Sequence, residues 1–203
     1  MPVVLFWDKH DGGQMKSMTG EQALSWCQAR AVAATKDSYL YFSETRRCIT
    51  VELPEKPYEL VALANSLLPY SEAAPFRGAL LWIKQWGVWN ELVERAGFRV
   101  MQVMRSIHGD SKPMEEAPGY LFDERELVDL QVCLIQPLLI GWDAFLIPKS
   151  GDYIVATSHD ELTCIMSRTL QIHQSMLDEL QPWNPREDQE WYFKGTGVPV
   201  EHS

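Results

Sequence analysis

No apolar run in the chain is long enough to cross a bilayer, which needs about 20 residues. The longest candidate, 132–140, is interrupted by Gln136 and Pro137. An apolar segment over 3–7 is too short for the core of a signal peptide, and no basic residue precedes it. We therefore expect no membrane partner, no export and a cytoplasmic location.

Cysteine is also scarce, and its spacing forms no motif. The chain contains Cys27, Cys48, Cys133 and Cys164, with no Cys-x-x-Cys pair among them. This spacing argues against a zinc site or a disulfide framework. Each cysteine lies among apolar or β-type neighbours, so we expect four buried, reduced thiols, as is usual in the cytoplasm.

Basic residues are in deficit. Lys and Arg number 18 against 28 Asp and Glu, which gives a formal net charge of -10. Such a balance repels polyphosphate, so nucleic acid is not an expected partner. Hydrophobic residues make up 46% of the 203 residues, a composition typical of a globular chain. We predict one domain over 1–181 and a tail over 182–203, rich in aromatic residues, that packs on its surface.

Motifs for a cofactor or metal are missing. Gly12 and Gly13 lack the flanking residues of a phosphate-binding loop, and we expect no cofactor and no metal. Asp8 and His10 follow an apolar segment on a polar loop, a common place for acid–base chemistry, although a solvated turn explains them equally. The run 158–161, Ser-His-Asp-Glu, predicts a helix cap and not a catalytic triad, because consecutive helical side chains point about 100° apart.

Hydrophobic periodicity predicts an α+β fold, in which an antiparallel sheet is flanked by helices. The predicted elements are a strand over 3–7, a helix from Thr19 to about Ala34, a hairpin over 38–53, a helix over 58–68, an interior strand over 79–86, a helix over 90–108, a helix from Asp123 to Ile140, a hairpin over 142–157 and a helix from Ser158 to about Leu180. The helix that ends at Ile140 is apolar on almost every side, which indicates a central, covered helix kinked near Pro137.

The order helix, hairpin, helix occurs twice, with corresponding elements roughly 100 residues apart. This spacing suggests two halves related by duplication. Residue identity between the halves is poor, so chance recurrence of a common order is an equal alternative.

Four residues are candidates for protein binding. Trp86 and Trp89 belong to a set of eight tryptophans, and such clusters line pockets or anchor interfaces, although core packing is the ordinary alternative. Phe98 and Arg105 project from the polar side of their predicted helix, among other charged residues. An exposed Phe among charges is typical of a protein contact, although a single one is also normal surface.

Two polar residues interrupt apolar helix faces. Arg30 lies on the apolar face of the helix that begins at Thr19, and His173 lies among apolar residues of the last predicted helix. With Asp8 and His10, they form a hypothetical pocket, whereas core hydrogen bonding is the ordinary role of a buried Arg or His.

Two functions remain open. The favoured one is an acidic protein-interaction module that neutralises a basic protein partner, by analogy with toxin-neutralising immunity proteins. The alternative is a small-molecule-binding protein or hydrolase-type enzyme with a Trp-lined pocket. Nothing in the sequence indicates the oligomeric state.

Overall fold

A computed structural model describes residues 14–37, 39–44, 47–68, 76–86 and 91–187. The strands are β1 (Lys16–Met18), β2 (Ala33–Ala34), β3 (Leu40–Tyr41), β4 (Cys48–Glu52), β5 (Gly78–Gln85), β6 (Gly119–Asp123), β7 (Asp143–Pro148), β8 (Tyr153–Ser158) and β9 (Leu162–Ser167). The helices are α1 (Gly20–Gln28), α2 (Pro57–Ser66), α3 (Glu91–Ile107), α4 (Leu127–Ile140) and α5 (Leu170–Glu179).

Seven strands form one sheet in the order β1-β6-β5-β7-β8-β9-β4, and every neighbouring pair is antiparallel. The predicted α+β class with an antiparallel sheet is therefore confirmed. The continuous apolar run that predicted an interior strand forms β5, which lies between β6 and β7. Such runs suit strands that are covered on both faces.

The two faces of the sheet carry separate cores. Leu81 and Ile83 of β5 point into a large core shared with α2, α3, α4 and α5. Their neighbours Leu80 and Trp82 point to the opposite face, into a smaller core shared with α1. This alternation follows from the two-residue period of a strand.

Local signals at two helix ends are confirmed. Thr19 caps α1, since its hydroxyl accepts from the Gln22 amide at 3.2 Å while the Gln22 side chain accepts from the Thr19 amide at 2.9 Å. Gly141 ends α4 in the left-handed conformation, at φ 70°, which a residue without a side chain adopts most readily. Pro137 lies inside α4, as predicted. Asp123, the predicted start of this helix, belongs instead to β6.

The predicted hairpin over 38–53 is wrong. Helix α1 ends at Gln28, earlier than expected, and Ala33–Ala34 forms the strand that pairs with β3. Strand β4 pairs with β9, far away in sequence. Apolar patterns identify strands but do not specify their partners.

The predicted helix from Ser158 is also wrong over its first half. Ser158 ends β8, residues 159–161 form the turn to β9, and a helix begins only at Leu170, where the Thr169 side chain accepts from the Ile172 amide. Short apolar runs such as 162–167 fit a buried strand and a helix equally well. Because the first hairpin does not form and the last helix begins after a further strand, the structure does not show the proposed duplication.

The prediction of four reduced thiols is wrong for one pair. Cys48 of β4 and Cys164 of β9 form a disulfide. Cys27 and Cys133 are free, and all four residues are buried, as expected. The sequence does not predict this disulfide, because the predicted hairpin over 38–53 pairs β4 within that segment and not with β9. The argument from reduced thiols to a cytoplasmic location is thereby lost.

Beyond α5 the chain returns to the sheet. The backbone of Arg186 exchanges two hydrogen bonds with Thr50 of β4, at 2.7 and 2.9 Å. The remaining part of the predicted tail, 188–203, lies outside the described residues, and the division at 181/182 stays a prediction. In the described part of the chain, no helix is long and apolar enough to span a membrane.

Candidate functional site

Arg105 is not an exposed binding residue, contrary to the prediction. Only 1% of it is exposed, and its guanidinium lies 4.4 Å from the ring centre of Tyr120. It donates to the carbonyls of Lys112 and Pro113, at 2.7 and 2.8 Å, and to that of Ala117. Three backbone acceptors compensate for the loss of water, which is how a buried Arg becomes tolerable. Its role is to hold the segment 112–117 against α3.

Phe98 is half-buried, so the prediction of an exposed Phe is also wrong. Its ring meets Trp86 edge-on, with 6.0 Å between ring centres, and lies 5.2 Å from Trp142. The structure therefore brings together two predicted residues, Trp86 and Phe98, but as part of the core and not as a surface patch. Trp89 lies outside the described residues.

The hypothetical polar pocket is not assembled from Arg30 and His173. Arg30 stacks on Trp26 at 3.5 Å and donates to the carbonyls of Lys149 and Trp26, each at 3.0 Å, on the α1 side of the sheet. His173 is on α5, on the opposite side, where its Nε2 lies 2.9 Å from Glu187 Oε2. Asp8 and His10 lie outside the described residues.

Helix α4 supplies a surface that the sequence analysis missed. It is central, as predicted, between α2 and α3: Gln131 donates to Asn65 of α2 at 2.9 Å, and Asp129 contacts His108 at the end of α3. Its outer side, however, is uncovered among the described residues. Val128 is 68% exposed, Leu139 46% and Val132 37%.

Together with the half-buried Ile135, these exposed side chains form a continuous stripe. At about 100° per residue, Val128, Val132, Ile135 and Leu139 fall within an arc of about 60° on the helix. The only charged residue of α4, Asp129, lies to the side, against His108. An uncharged and exposed helical stripe is unusual on a protein surface and marks a binding site more often than chance.

Helix α3 continues this surface. Ile107 is 69% exposed and Val103 49%, and they share one side of α3 with Ala96 and Val100. The two helices run antiparallel with matching ends, because Gly97 packs against Ile140 and His108 contacts Asp129. We refer to the two stripes together as the α3–α4 face, whose members are Ala96, Val100, Val103, Ile107, Val128, Val132, Ile135 and Leu139. The helical periodicity of both stripes is visible in the sequence. An apolar helix face is ordinarily expected to pack in the core, so the pattern by itself does not indicate a surface.

A pocket of about 320 Å³ opens at the carboxyl end of α4. Leu139 belongs both to this pocket and to the α3–α4 face. The other lining residues come from the end of β4, the start of α2, the end of α4 and the β8–β9 turn: Leu53, Pro54, Glu55, Leu60, Leu138, Ile140, Gly141, His159 and Glu161. The apolar face therefore leads into a pocket with a polar rim.

His159 is held at this rim by Asp143. The Asp143 Oδ1 atom accepts from the His159 backbone amide and lies 2.8 Å from His159 Nδ1. This hydrogen bond raises the pKa of His159. The Ser158 hydroxyl is hydrogen-bonded to Asp160. The pocket lining contains no Ser, Thr or Cys, so the described pocket offers no nucleophile for acyl transfer. Glu55, Glu161 and the exposed Asp160 make this end of the face acidic.

No protein-family model, curated protein or solved structure matches the chain. The function is therefore inferred from the geometry of the site.

Proposed function

We propose that the protein is an acidic interaction module that binds a basic, amphipathic helix of a protein partner across the α3–α4 face. The observation that carries the proposal is the uncharged, exposed outer side of α4. Burial of apolar surface of this kind is favourable by about 25 cal/mol for each Å² removed from water. A partner that covers it gains affinity from burial alone.

The shape of the face favours a helical ligand. Two antiparallel helices with exposed apolar stripes form a shallow groove between them, and a helix binds such a groove through residues spaced by three and four positions. Val128, Val132, Ile135 and Leu139 have that same spacing, so a partner helix that lies along α4 meets side chains in step with its own.

Charge indicates that the partner is basic. The acidic end of the groove contains Glu55, Asp160 and Glu161, and the chain as a whole carries a formal net charge of -10. A basic ligand is attracted over distance by the net charge and positioned by the local carboxylates. Neutralisation of a basic partner, the function favoured from the sequence, is retained, but through different residues.

The alternative, a Trp-lined pocket for a small molecule or a hydrolase reaction, has less support. Trp82 and Trp142 are 3% and 0% exposed, and the pocket beside His159 is lined by Leu and not by Trp. Without a nucleophile beside the imidazole, the His159–Asp143 pair lacks the third member of a hydrolase triad.

The test uses a fluorescent synthetic helix of 18 residues, with Leu at the same four-three-four spacing and with Lys and Ala sharing the remaining positions, because Lys at every one of them would destabilise the helix. We expect fluorescence anisotropy to show saturable binding that weakens with salt, because both apolar burial and charge attraction contribute. A peptide with Glu in place of Lys is the control for charge. Equal binding of the two peptides would show that the partner is not basic.

Variants locate the binding site. Changing Val132 and Leu139 together to Ser should weaken binding of the Lys peptide at least tenfold. Leu170→Ser is the matched control, because Leu170 is 63% exposed but lies on α5. An equal loss in both proteins, or none in either, would contradict the α3–α4 face as the site.

Sedimentation of the protein alone distinguishes a second copy from a different partner. A monomer at micromolar concentration is expected, since two copies of a chain with a net charge of -10 repel each other. A stable dimer that dissociates in the Val132/Leu139 double variant would instead make this face a homodimer interface.

A further inference from the structure

Three possible metal ligands meet where α3 ends and α4 begins. His108 directly follows α3, Glu126 directly precedes α4, and Asp129 lies in the first turn of α4. One ligand atom from each lies within 4.8 Å of the other two. The side chains of His108 and Glu126 are 10% and 5% exposed, so this group is shielded from water.

His108 lies between two carboxylates, those of Glu126 and Asp129. Its Nε2 atom lies 3.0 Å from Asp129 Oδ2. The Met15 amide lies 3.2 Å from Nδ1, so a metal ion that binds this nitrogen replaces that hydrogen bond. A carboxylate that receives the second N–H of an imidazole is the usual support of a histidine that binds metal.

One oxygen of Glu126 is buried without a side-chain donor. Its Oε2 accepts from the Asp123 amide at 2.8 Å, whereas its Oε1 lies near the Met15 amide and accepts no hydrogen bond from a side chain of the described residues. That Oε1 lies 3.2 Å from His108 Nδ1. A cation between these two atoms, whether a proton or a metal ion, balances the charge of the buried carboxylate.

We infer that His108, Glu126 and Asp129 form a binding site for a divalent transition-metal ion. The separation of Nδ1 and Oε1 matches the distance of about 3.3 Å between neighbouring ligands of a tetrahedral ion with bonds of 2.0–2.1 Å. One imidazole with carboxylates suits Zn²⁺ and its neighbours in the periodic table, whereas Ca²⁺ and Mg²⁺ prefer oxygen ligands alone. Asp129 supports the imidazole through Nε2 or completes the ligand set after a small rotation.

The site connects the carboxyl end of α3 to the amino end of α4, where Ile107 and Val128 are exposed. An ion bound there stabilises the folded protein, because the unfolded chain does not hold the three ligands together. The inference is independent of the proposed function, since it depends on the buried side of the two helices and not on their outer face.

Calorimetric titration of chelator-treated protein with Zn²⁺ tests it. We expect one site per chain with a dissociation constant below about 10 µM, a value that bound zinc sites in folded proteins easily reach. His108→Gln should weaken this binding at least tenfold. Asp129→Asn should weaken it by about 10- to 100-fold, the usual effect of losing a supporting carboxylate.

His159→Gln is the matched control, because it removes an imidazole from another group of carboxylates, Asp143 and Asp160. It should leave zinc binding unchanged. Circular dichroism checks the fold of each variant, and if His108→Gln unfolds, Asp129→Asn decides the question, since the Asp129 side chain is 37% exposed. Absence of a micromolar site, its persistence in the folded variants, or an equal loss in His159→Gln would overturn the inference.

Cobalt gives a second measurement. Co²⁺ in a tetrahedral site with a nitrogen ligand absorbs visible light strongly, whereas Co²⁺ in water absorbs weakly. The spectrum should appear on titration of the unaltered protein and of His159→Gln, and be absent from His108→Gln. A spectrum that is identical in all three proteins would place the ion elsewhere in the chain.

Discussion

The guanidinium of Arg105 lies 4.4 Å from the ring centre of Tyr120, and both residues are buried between α3 and the sheet. Burial raises the pKa of the Tyr120 hydroxyl. Among the described residues, the charge of Arg105 is balanced by carbonyl groups and by an aromatic face, and no carboxylate forms a hydrogen bond with it.

Truncation of Arg105 should therefore destabilise the fold severely. Arg105→Ala leaves the carbonyls of Lys112, Pro113 and Ala117 without their donor, and a buried, unsatisfied carbonyl such as that of Ala117 costs about 1–3 kcal/mol. We expect a loss of at least about 3 kcal/mol in the free energy of unfolding in urea, given these costs. Arg99→Ala, an exposed position on the same helix, should change it by less than about 0.5 kcal/mol. Similar values for the two variants would contradict the buried position of Arg105.

Gly97 should resist substitution although it lies within a helix. A Cβ atom there would overlap the Ile140 side chain and lie 2.9 Å from Trp142. Helix propensity favours Gly97→Ala by about 1 kcal/mol, but overpacking of a core costs about 1–3 kcal/mol. Thermal unfolding should show a lower midpoint for Gly97→Ala. A higher midpoint would mean that α3 and α4 are farther apart than described.

The His159–Asp143 hydrogen bond should make stability depend on pH. Because Asp143 raises the pKa of His159 in the folded state, the folded protein holds this proton more tightly than the unfolded chain. The resulting stabilisation is complete below the unfolded pKa, about 6.5, and is lost as the pH rises through the folded pKa.

The measurement is the difference in unfolding free energy between the unaltered protein and His159→Gln, at a series of pH values. It should be largest near pH 6 and decline toward pH 9, within the range where histidine titrates. Asp143→Asn should remove most of this pH dependence. A difference that is constant across the series would contradict the shift.

The cysteines should fall into two chemical classes. Cys27 and Cys133 are 0% exposed, and burial raises the pKa of Cys27 to about 12, so neither should react with a thiol reagent in the native protein. After unfolding without a reductant, two thiols per chain should react, and after reduction four. Rapid labelling of the native protein, or four thiols before reduction, would contradict these assignments.

Interactions between residues close in the chain were predictable. The capping box of Thr19, the glycine stop at Gly141 and the interior strand over 78–85 each depend on a few consecutive residues. Their physical causes are complete within one or two turns of a helix or one strand. The α+β class follows from such elements without knowledge of how they pair.

The polarity of a side chain was a poor guide to its position on α3. Arg105 lies on the buried side because three carbonyls of the following segment, 112–117, accept from it, whereas Val103 and Ile107 remain exposed because nothing described packs on them. Periodicity identifies the two sides of a helix, but it does not say which partner each side meets.

The sequence by itself determined the helices and strands with strong local patterns, the acidic charge and the burial of the cysteines, since these depend on composition and on neighbours along the chain. The tertiary structure alone decided that β4 pairs with β9, that Cys48 meets Cys164 across a separation of 116 residues, and that α4 keeps an uncovered side. The physical reason is that contacts between distant segments depend on the packing of the whole chain, and many pairings satisfy the same local pattern.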